Sequence, residues 1–416
     1  MTASTTVPPP AATAGRPPHI AILIAITAIG PLALNIFIPS IPGLVRVFET
    51  DYGTAQLALT LYLIGIACGQ LIYGPLSDRF GRRPVLLAGL GVFVAASLVC
   101  ALAPTIGMLI AGRIAQAVGG CAGMVLSRAI VRDVYERDKA ASMLAYITMA
   151  MAVAPAVAPA LGGFLEVWFG WQASFLLVLG CGAAVWLWSL GSLRETNFRR
   201  QPLPGPVGMA IGYAALLRSP EFLGYALNTA FASAVFFAFL AGAPYIMIDL
   251  LRRPPSEYGT LFVLVSAGYA LGSFIAARMA TRLGARRLVL GGTLVNLAGV
   301  SVMGGLGLLG LFDALAIFLP MCIVAVGNGV SMPSGIAAAI SVNPRVAGAA
   351  SGLLGFLQMS VGALATVAVG YLKDDDQMPM ILVMAVSVVL SVGAYLLAVG
   401  AGRRSGRAVP APGTTD

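Results

Sequence analysis

No charged residue occurs between Ile20 and Pro42, and comparable apolar intervals recur along the chain as far as Ala401. A helix needs about 20 apolar residues to cross the hydrocarbon of a bilayer at 1.5 Å per residue. Inside lipid the backbone must satisfy its own polar groups, which makes such intervals helices. By this measure the chain holds twelve spans, at roughly 20–42, 55–75, 85–103, 106–126, 140–164, 173–193, 222–248, 258–280, 288–311, 314–337, 348–372 and 379–401. The composition agrees, with 59% hydrophobic and 10% charged residues where a soluble domain carries about 25% charged. The expectation is an all-α integral membrane protein.

A net charge of +9 does not indicate nucleic acid, because the arginines fall in short clusters between apolar runs and are not interleaved with base-stacking aromatics. They set topology instead. With the N-terminus inside, Arg79, Arg82, Arg83, Arg128, Arg132, Arg278, Arg282, Arg286 and Arg287 all fall on the cytoplasmic side, whereas the outside keeps Arg46, Arg252, Arg253 and Lys373. Both termini are therefore expected in the cytoplasm. The domain plan is a disordered Pro/Ala/Thr-rich tail over 1–18, a six-helix bundle over 19–193, a cytoplasmic linker over 194–220, a second six-helix bundle over 221–401 and a tail over 402–416. The first apolar run is too long for a signal-peptide core and ends without a small-residue cleavage site. His19 is expected as an interfacial side chain at the start of the first span. Cys68, Cys100, Cys121, Cys181 and Cys322 show no paired spacing and are expected as small buried hydrophobes, with no disulfide framework or metal site. No GxxxxGK[ST] loop and no nucleophile–base constellation is present, so neither ATP hydrolysis nor an enzyme, nor any cofactor, is expected.

The two halves resemble each other. "SDRFGRRPVLLAG" (77–89) and "ATRLGARRLVLGG" (280–292) align at a constant shift, pairing Arg79 with Arg282, Gly81 with Gly284 and Arg83 with Arg286. Parallel repeats of six spans imply a transporter with a central site between halves.

Three motifs carry chemistry. "GPLSDRFGRR" (74–83) resembles the signature loop of the major facilitator superfamily, Gly-x-x-x-Asp-x-x-Gly-Arg-Arg/Lys. Gly74 allows close helix approach, Gly81 a tight turn, and Asp78 can act as a fixed anion at a helix N-terminus. The resemblance implies a conformational latch made by Asp78 against the start of span eleven near Ala349 and Ala350, with Arg82 paired to Asp133 and Arg83 alongside. The alternative is that these arginines are topology determinants alone. Thr281 replaces the acid in the second copy. Next, "GRIAQAVGG" (112–120) places Arg113 about nine residues inside span four, roughly 13 Å deep, where an arginine is expensive and marks function by default. Arg113 and Gln116 resemble the superfamily's span-four motif for substrate binding or proton coupling; the structural alternative is an arginine satisfied by carbonyls between helices. Third, "AVAPAVAPALGG" (152–163) resembles the span-five motif of drug:proton antiporters. Pro159, Gly162 and Gly163 match, Ala154 and Ala158 stand where glycines are usual, and Pro155 adds a second bend; a packing kink without bearing on transport is the alternative. Further polar or aromatic positions at cavity depth are Tyr62, Gln70, Asn228, Phe231, Phe236, Phe237, Tyr269, Asn328 and Gln358.

Together with "NIFIPSIP" and the Gly170-Trp171 pair, these motifs make the chain similar to the Bcr/CflA group of multidrug efflux transporters. That resemblance implies the twelve-helix major facilitator fold and proton-driven export of drug-like or amphiphilic small molecules, by a monomer in the bacterial inner membrane with lipid as its surroundings. It also implies an acid at residue 35, as proton carrier. Here the residue is Asn35, about seven residues before Pro42 and roughly 10 Å deep, similar in depth to Arg113, and no carboxylate falls mid-span. A proton-coupled exporter, an uncoupled facilitator or importer, and a non-transporting sensor on the same fold therefore all stay open, with Asn35 and Arg113 expected to share one cavity of positive charge.

Overall fold

The computed structural model describes residues 18–135, 137–198, 213–343, 346–372 and 375–404. The tails and the middle of the linker expected from sequence lie outside them. Helices α1 (Ile20–Ile36), α2 (Ile41–Val47), α3 (Tyr52–Phe80), α4 (Arg82–Ala101), α5 (Ile106–Val134), α6 (Arg137–Phe169) and α7 (Gln172–Ser192) form the N-terminal half. Helices α8 (Pro220–Tyr245), α9 (Pro255–Leu308), α10 (Ala314–Ser341), α11 (Ala347–Tyr371) and α12 (Met378–Arg404) form the C-terminal half. Ten helices among the described residues are long and apolar enough to cross a membrane.

Local chemistry explains the boundaries. Asp51, Thr105, Ser219 and Asp313 cap α3, α5, α8 and α10 by accepting backbone N–H bonds. His19 caps α1 the same way, through Nδ1 and the Ala21 amide at 3.3 Å. Pro39 and Pro42 cannot sustain a regular ladder, and a 3-10 turn at Ile38–Ser40 separates α1 from α2. Helices α3, α5, α6 and α10 overrun the apolar intervals by a turn or more, because the hydrogen-bond ladder continues into the flanking polar residues.

At 54 residues α9 is long enough for two crossings, and it breaks at Gly284, with φ 74° and ψ 157°. Its counterpart by internal alignment, Gly81 between α3 and α4, has φ 102° and ψ 154°. An L-residue rarely adopts either conformation. The repeat seen in sequence is thus a repeat of backbone geometry.

The Gly81 and Gly284 breaks, with Arg82, Arg83 and Arg286, mark one arginine-rich end of the bundle; the α2–α3 and α8–α9 connections mark the arginine-poor end. Within the N-terminal half α5 packs on α3 and α4, and α6 packs on α1; in the other half α10 packs on α9, and α8 on α12. The halves meet along α3–α11 and α6–α9. Outward faces carry Trp168, Phe169, Leu308 and Leu309, each at least two-thirds exposed, an apolar surface that suits lipid rather than water. One expectation fails on this surface: Cys100 and Cys121 are buried, but Cys68 is exposed and Cys181 and Cys322 are half-exposed, all five as free thiols. A lipid-facing position asks for an apolar side chain, not for burial in protein.

Candidate functional site: a caged arginine and a gate between halves

Arg113 is fully buried seven residues into α5. Its Nη1 donates to the Ala33 carbonyl of α1 at 2.9 Å and to Gln116 Oε1 at 2.6 Å, and Nε lies 3.4 Å from the Ala58 carbonyl of α3. The guanidinium sits 3.9 Å from the centroid of Tyr62 and 4.7 Å from that of Phe37, with Phe175 at 5.8 Å. Tyr62 is held in turn by its hydroxyl, which donates to the Gly30 carbonyl at 3.0 Å. Gln116 Nε2 donates to Ser97 Oγ at 2.8 Å, and Ser97 donates to the Phe93 carbonyl at 2.7 Å. One cation therefore ties α5 to α1 and α3, while its glutamine ties α5 to α4. No carboxylate pairs with Arg113 among the described residues, and its Nη2 has no hydrogen-bond partner. Carbonyl dipoles and π faces replace the counter-ion.

Asn35 and Arg113 do not join each other. The Asn35 Nδ2 donates to the Pro31 carbonyl one turn earlier in its own helix at 2.8 Å, and its Oδ1 is buried without a partner. The guanidinium finds the backbone at Ala33, two residues earlier, instead.

Two other sequence candidates are committed to helix packing. Asn228 Nδ2 donates to Ser391 Oγ, the Ser391 carbonyl and Thr293 Oγ1 at 2.9–3.1 Å, bonding α8 to α12 and α9. Asn328 Oδ1 accepts from Asn296 at 2.9 Å, bonding α10 to α9. Depth along the chain suggested ligands for both; the face each helix turns to its neighbours makes them interhelical ties within one half. Gln358 of α11 keeps an unpartnered buried Nε2, Phe231 and Tyr269 are half-buried, and Gln70 lies over Gly355 of α11. Phe236 packs against Phe237 and Phe262, at 5.9 and 6.2 Å between centroids.

At the arginine-rich end Arg82 joins Asp133 at 2.9 Å and Asp78 at 2.6 Å, and Nη1 also reaches Ser77 Oγ at 2.5 Å. These carboxylates outweigh the cost of burying Arg82 and hold its guanidinium above its ordinary value. Asp78 is thus engaged within its own half, one helical turn from Arg82, and not with α11. A Cβ on Gly74 would meet open space, so close approach is not what this glycine serves here. Two residues without any sequence signal complete the loop. Glu195, just after α7, accepts the Arg82 and Arg83 backbone N–H groups at 2.8 and 3.2 Å, an anion on the N-terminus of α4. Asn197 donates to the Ser77 and Asp78 carbonyls at 3.2 and 3.0 Å, closing the C-terminus of α3. Arg83 Nε adds a bond to the Leu193 carbonyl at 2.8 Å. The start of the linker is therefore a clamp, not a tether.

The arginine-poor end is where the halves close. Tyr52 Oη donates to the Ala241 carbonyl at 2.6 Å, its ring stands 5.0 Å from that of Tyr245, and Thr60 and Thr366 share a hydroxyl bond at 2.7 Å. Pro155, Pro159, Gly162 and Gly163 all lie within the continuous α6. A Cβ on Gly162 would strike the Ile36 carbonyl, one on Gly163 would strike Pro255 across the interface, and Gly259 of α9 presses on Pro159 in return.

Residues 23–366 match the family profile of the Major Facilitator Superfamily. The chain belongs to this superfamily. The bicyclomycin resistance protein homolog of Haemophilus influenzae is 30% identical over 375 residues, 88% of this chain and 92% of that one. Multidrug resistance protein D of Escherichia coli is 29% identical over 349 residues, 83% and 87% of the two chains. These relatives make it a Bcr/CflA-type member. Among solved structures, a bacterial homolog of the human lysosomal transporter Spinster superposes with a TM-score of 0.69 over 96% of this chain and all of its own, at 16% identity, a likeness of fold. As a superfamily member the chain is a multi-pass membrane transporter; its caged arginine lies among α1, α3 and α5, and the contacts between halves join α3 and α6 to α8, α9 and α11.

Proposed function

We propose that the protein is a secondary active exporter of drug-like or amphiphilic small molecules in the bacterial inner membrane, working as a monomer of twelve crossings with both termini in the cytoplasm. The names of its relatives support drug export, and the distribution of arginines supports the orientation. The observation that carries the substrate class is Arg113: a buried cation without a carboxylate favours neutral or anionic amphiphiles over cationic dyes. On this reading Asn35, Tyr62, Gln116 and Gln358 belong to the substrate side of α1, α3, α5 and α11, and the Gly81 loop with Arg82, Arg83 and Asp133 is a conformational latch.

Exchange for protons is the coupling we assign, by analogy with the drug:proton antiporter pattern in α6. Asn35 favours a second reading, an uncoupled facilitator, because an amide cannot titrate where the resemblance supplies an acid. Inside-out vesicles given ligand in the outer medium separate the two. Accumulation that requires a pH gradient supports antiport, and flux that survives its collapse and follows the ligand gradient alone supports the facilitator. Absence of saturable flux for neutral, anionic and cationic amphiphiles alike refutes both.

A further inference from the structure

Glu166 is a carboxyl that takes no part in the arginine cage or the Arg82 loop. It lies one helical turn beyond Gly162 on α6, on the face that Gly162 presses against Ile36. Its carboxyl meets Gly43 of α2, where Oε1 leaves no room for a Cβ, and it neighbours Ser40 in the 3-10 turn. Yet Oε2 is fully buried without a hydrogen bond, and Ser40 Oγ likewise makes none of good geometry. Gly163, three residues earlier on the same helix, presses on Pro255 and Ser256 of the other half. The acid is therefore wedged between the broken end of the first span and the pivot on which the arginine-poor gate closes.

A buried carboxylate oxygen without a donor is unfavourable, and a proton there removes the charge and turns the orphan acceptor into a donor for Ser40 or a carbonyl. Opening the gate parts α6 from α9 at Gly163, one turn from the acid, and admits water beside the group, which then tolerates ionisation. We infer that Glu166 is a proton-operated catch: it takes up a proton from the arginine-poor side as that end closes and returns it when the end opens. Acid on that side then favours closure. The charged group facing it is Arg46 of α2. On α9 Glu257 is engaged by Arg253 at 3.8 Å, α1 and α7 carry no charged side chain, and the charge of α5 closest to this end, Arg113, is committed to its cage. The inference rests on alternating access in a major facilitator transporter, and it needs neither the assigned substrate class nor antiport.

The test uses the full chain in lipid nanodiscs, with its five cysteines replaced by alanine and spin labels attached at Val47→Cys and Leu311→Cys. These sites are 54% and 51% exposed and lie in opposite halves at the arginine-poor end. Electron–electron double resonance reads the short, closed distance against the long, open one between pH 8 and pH 5. The expected result is a closed-to-open ratio that rises about tenfold for each pH unit of difference in proton affinity between the two states. Glu166→Gln should show the acid-pH distance throughout, which also demonstrates that the variant folds, while Glu166→Asp keeps a pH response. Glu166→Gln tracking the parent, Glu166→Gln open at all pH values, or a parent indifferent to pH each overturns the catch. Efflux measured on the same variants is a separate readout: a failed drug-export assay with an intact pH-dependent distance condemns the substrate reading alone.

Discussion

Arg113→Lys tests the caged cation most directly, because charge is retained and geometry is lost. The guanidinium makes two short charge-assisted bonds, to the Ala33 carbonyl and Gln116 Oε1, and stands 3.9 Å from the Tyr62 ring centroid. An ammonium is a point donor on a shorter stem; it cannot reach α1 while also meeting Gln116 and covering the ring. Charge-assisted hydrogen bonds contribute about 1.5–3 kcal/mol each and a desolvated cation–π contact about 2 kcal/mol, whereas neutral interhelical bonds in membranes average about 0.6 kcal/mol. Losing one bond and part of the ring contact should cost roughly 2–4 kcal/mol, since a lone buried ammonium also keeps its desolvation penalty. Thermal unfolding in detergent should fall by several degrees, and efflux in vesicles should fall with it. Arg113→Met, which removes charge and penalty together, should be the more stable of the two variants yet remain inactive. An Arg113→Lys variant with the parental melting temperature and efflux, or an Arg113→Met variant that transports normally, refutes the cage.

Four other outcomes follow from the same geometry. Gly81→Ala places a Cβ against the Glu195 carboxylate at a φ of 102° and should lose about 1–3 kcal/mol in thermal unfolding, with Glu195→Ala in the same chain recovering part of it, so that strictly additive losses would count against the clamp. Gly163→Leu should leave expression and the N-terminal half intact but hold the arginine-poor end apart, seen as a longer label distance there and loss of efflux. Asn35→Asp should gain cationic substrates or a steeper pH dependence of efflux; an unchanged selectivity and pH profile removes Asn35 from the substrate side. Asp51 caps α3 through the Thr54 hydroxyl and amide at 2.6 and 2.9 Å, bonds that hold its carboxyl below the usual aspartate range. Because that value is depressed in the folded chain, the cap's contribution is complete above about pH 4 and fades as the pH falls through the folded value. Asp51→Asn should therefore flatten the acid side of a melting-temperature profile, and an unaltered profile shows that the cap does not matter.

Apolar intervals with few charges, scattered arginine clusters and the repeated Arg79/Arg282 loop are local properties of the chain. They determined the all-helical membrane architecture and the family, because a bilayer leaves the backbone so few solutions. The same locality made Gly81 and Gly284 legible, since a required positive φ depends on neighbours along the chain. What each polar side chain faces is a property of the assembled bundle. Asn228 and Asn328 sit at depths that suit a ligand, yet rotation of their helices spends them on Ser391, Thr293 and Asn296. Glu195, Asn197 and Glu166 looked like ordinary loop or helix-end residues until packing set them against the α3–α4 break and the 3-10 turn. Arg113 was conspicuous from sequence alone; that its charge is balanced by carbonyls and aromatic rings, and not by the residue at position 35, was decided only where α1, α3 and α5 meet.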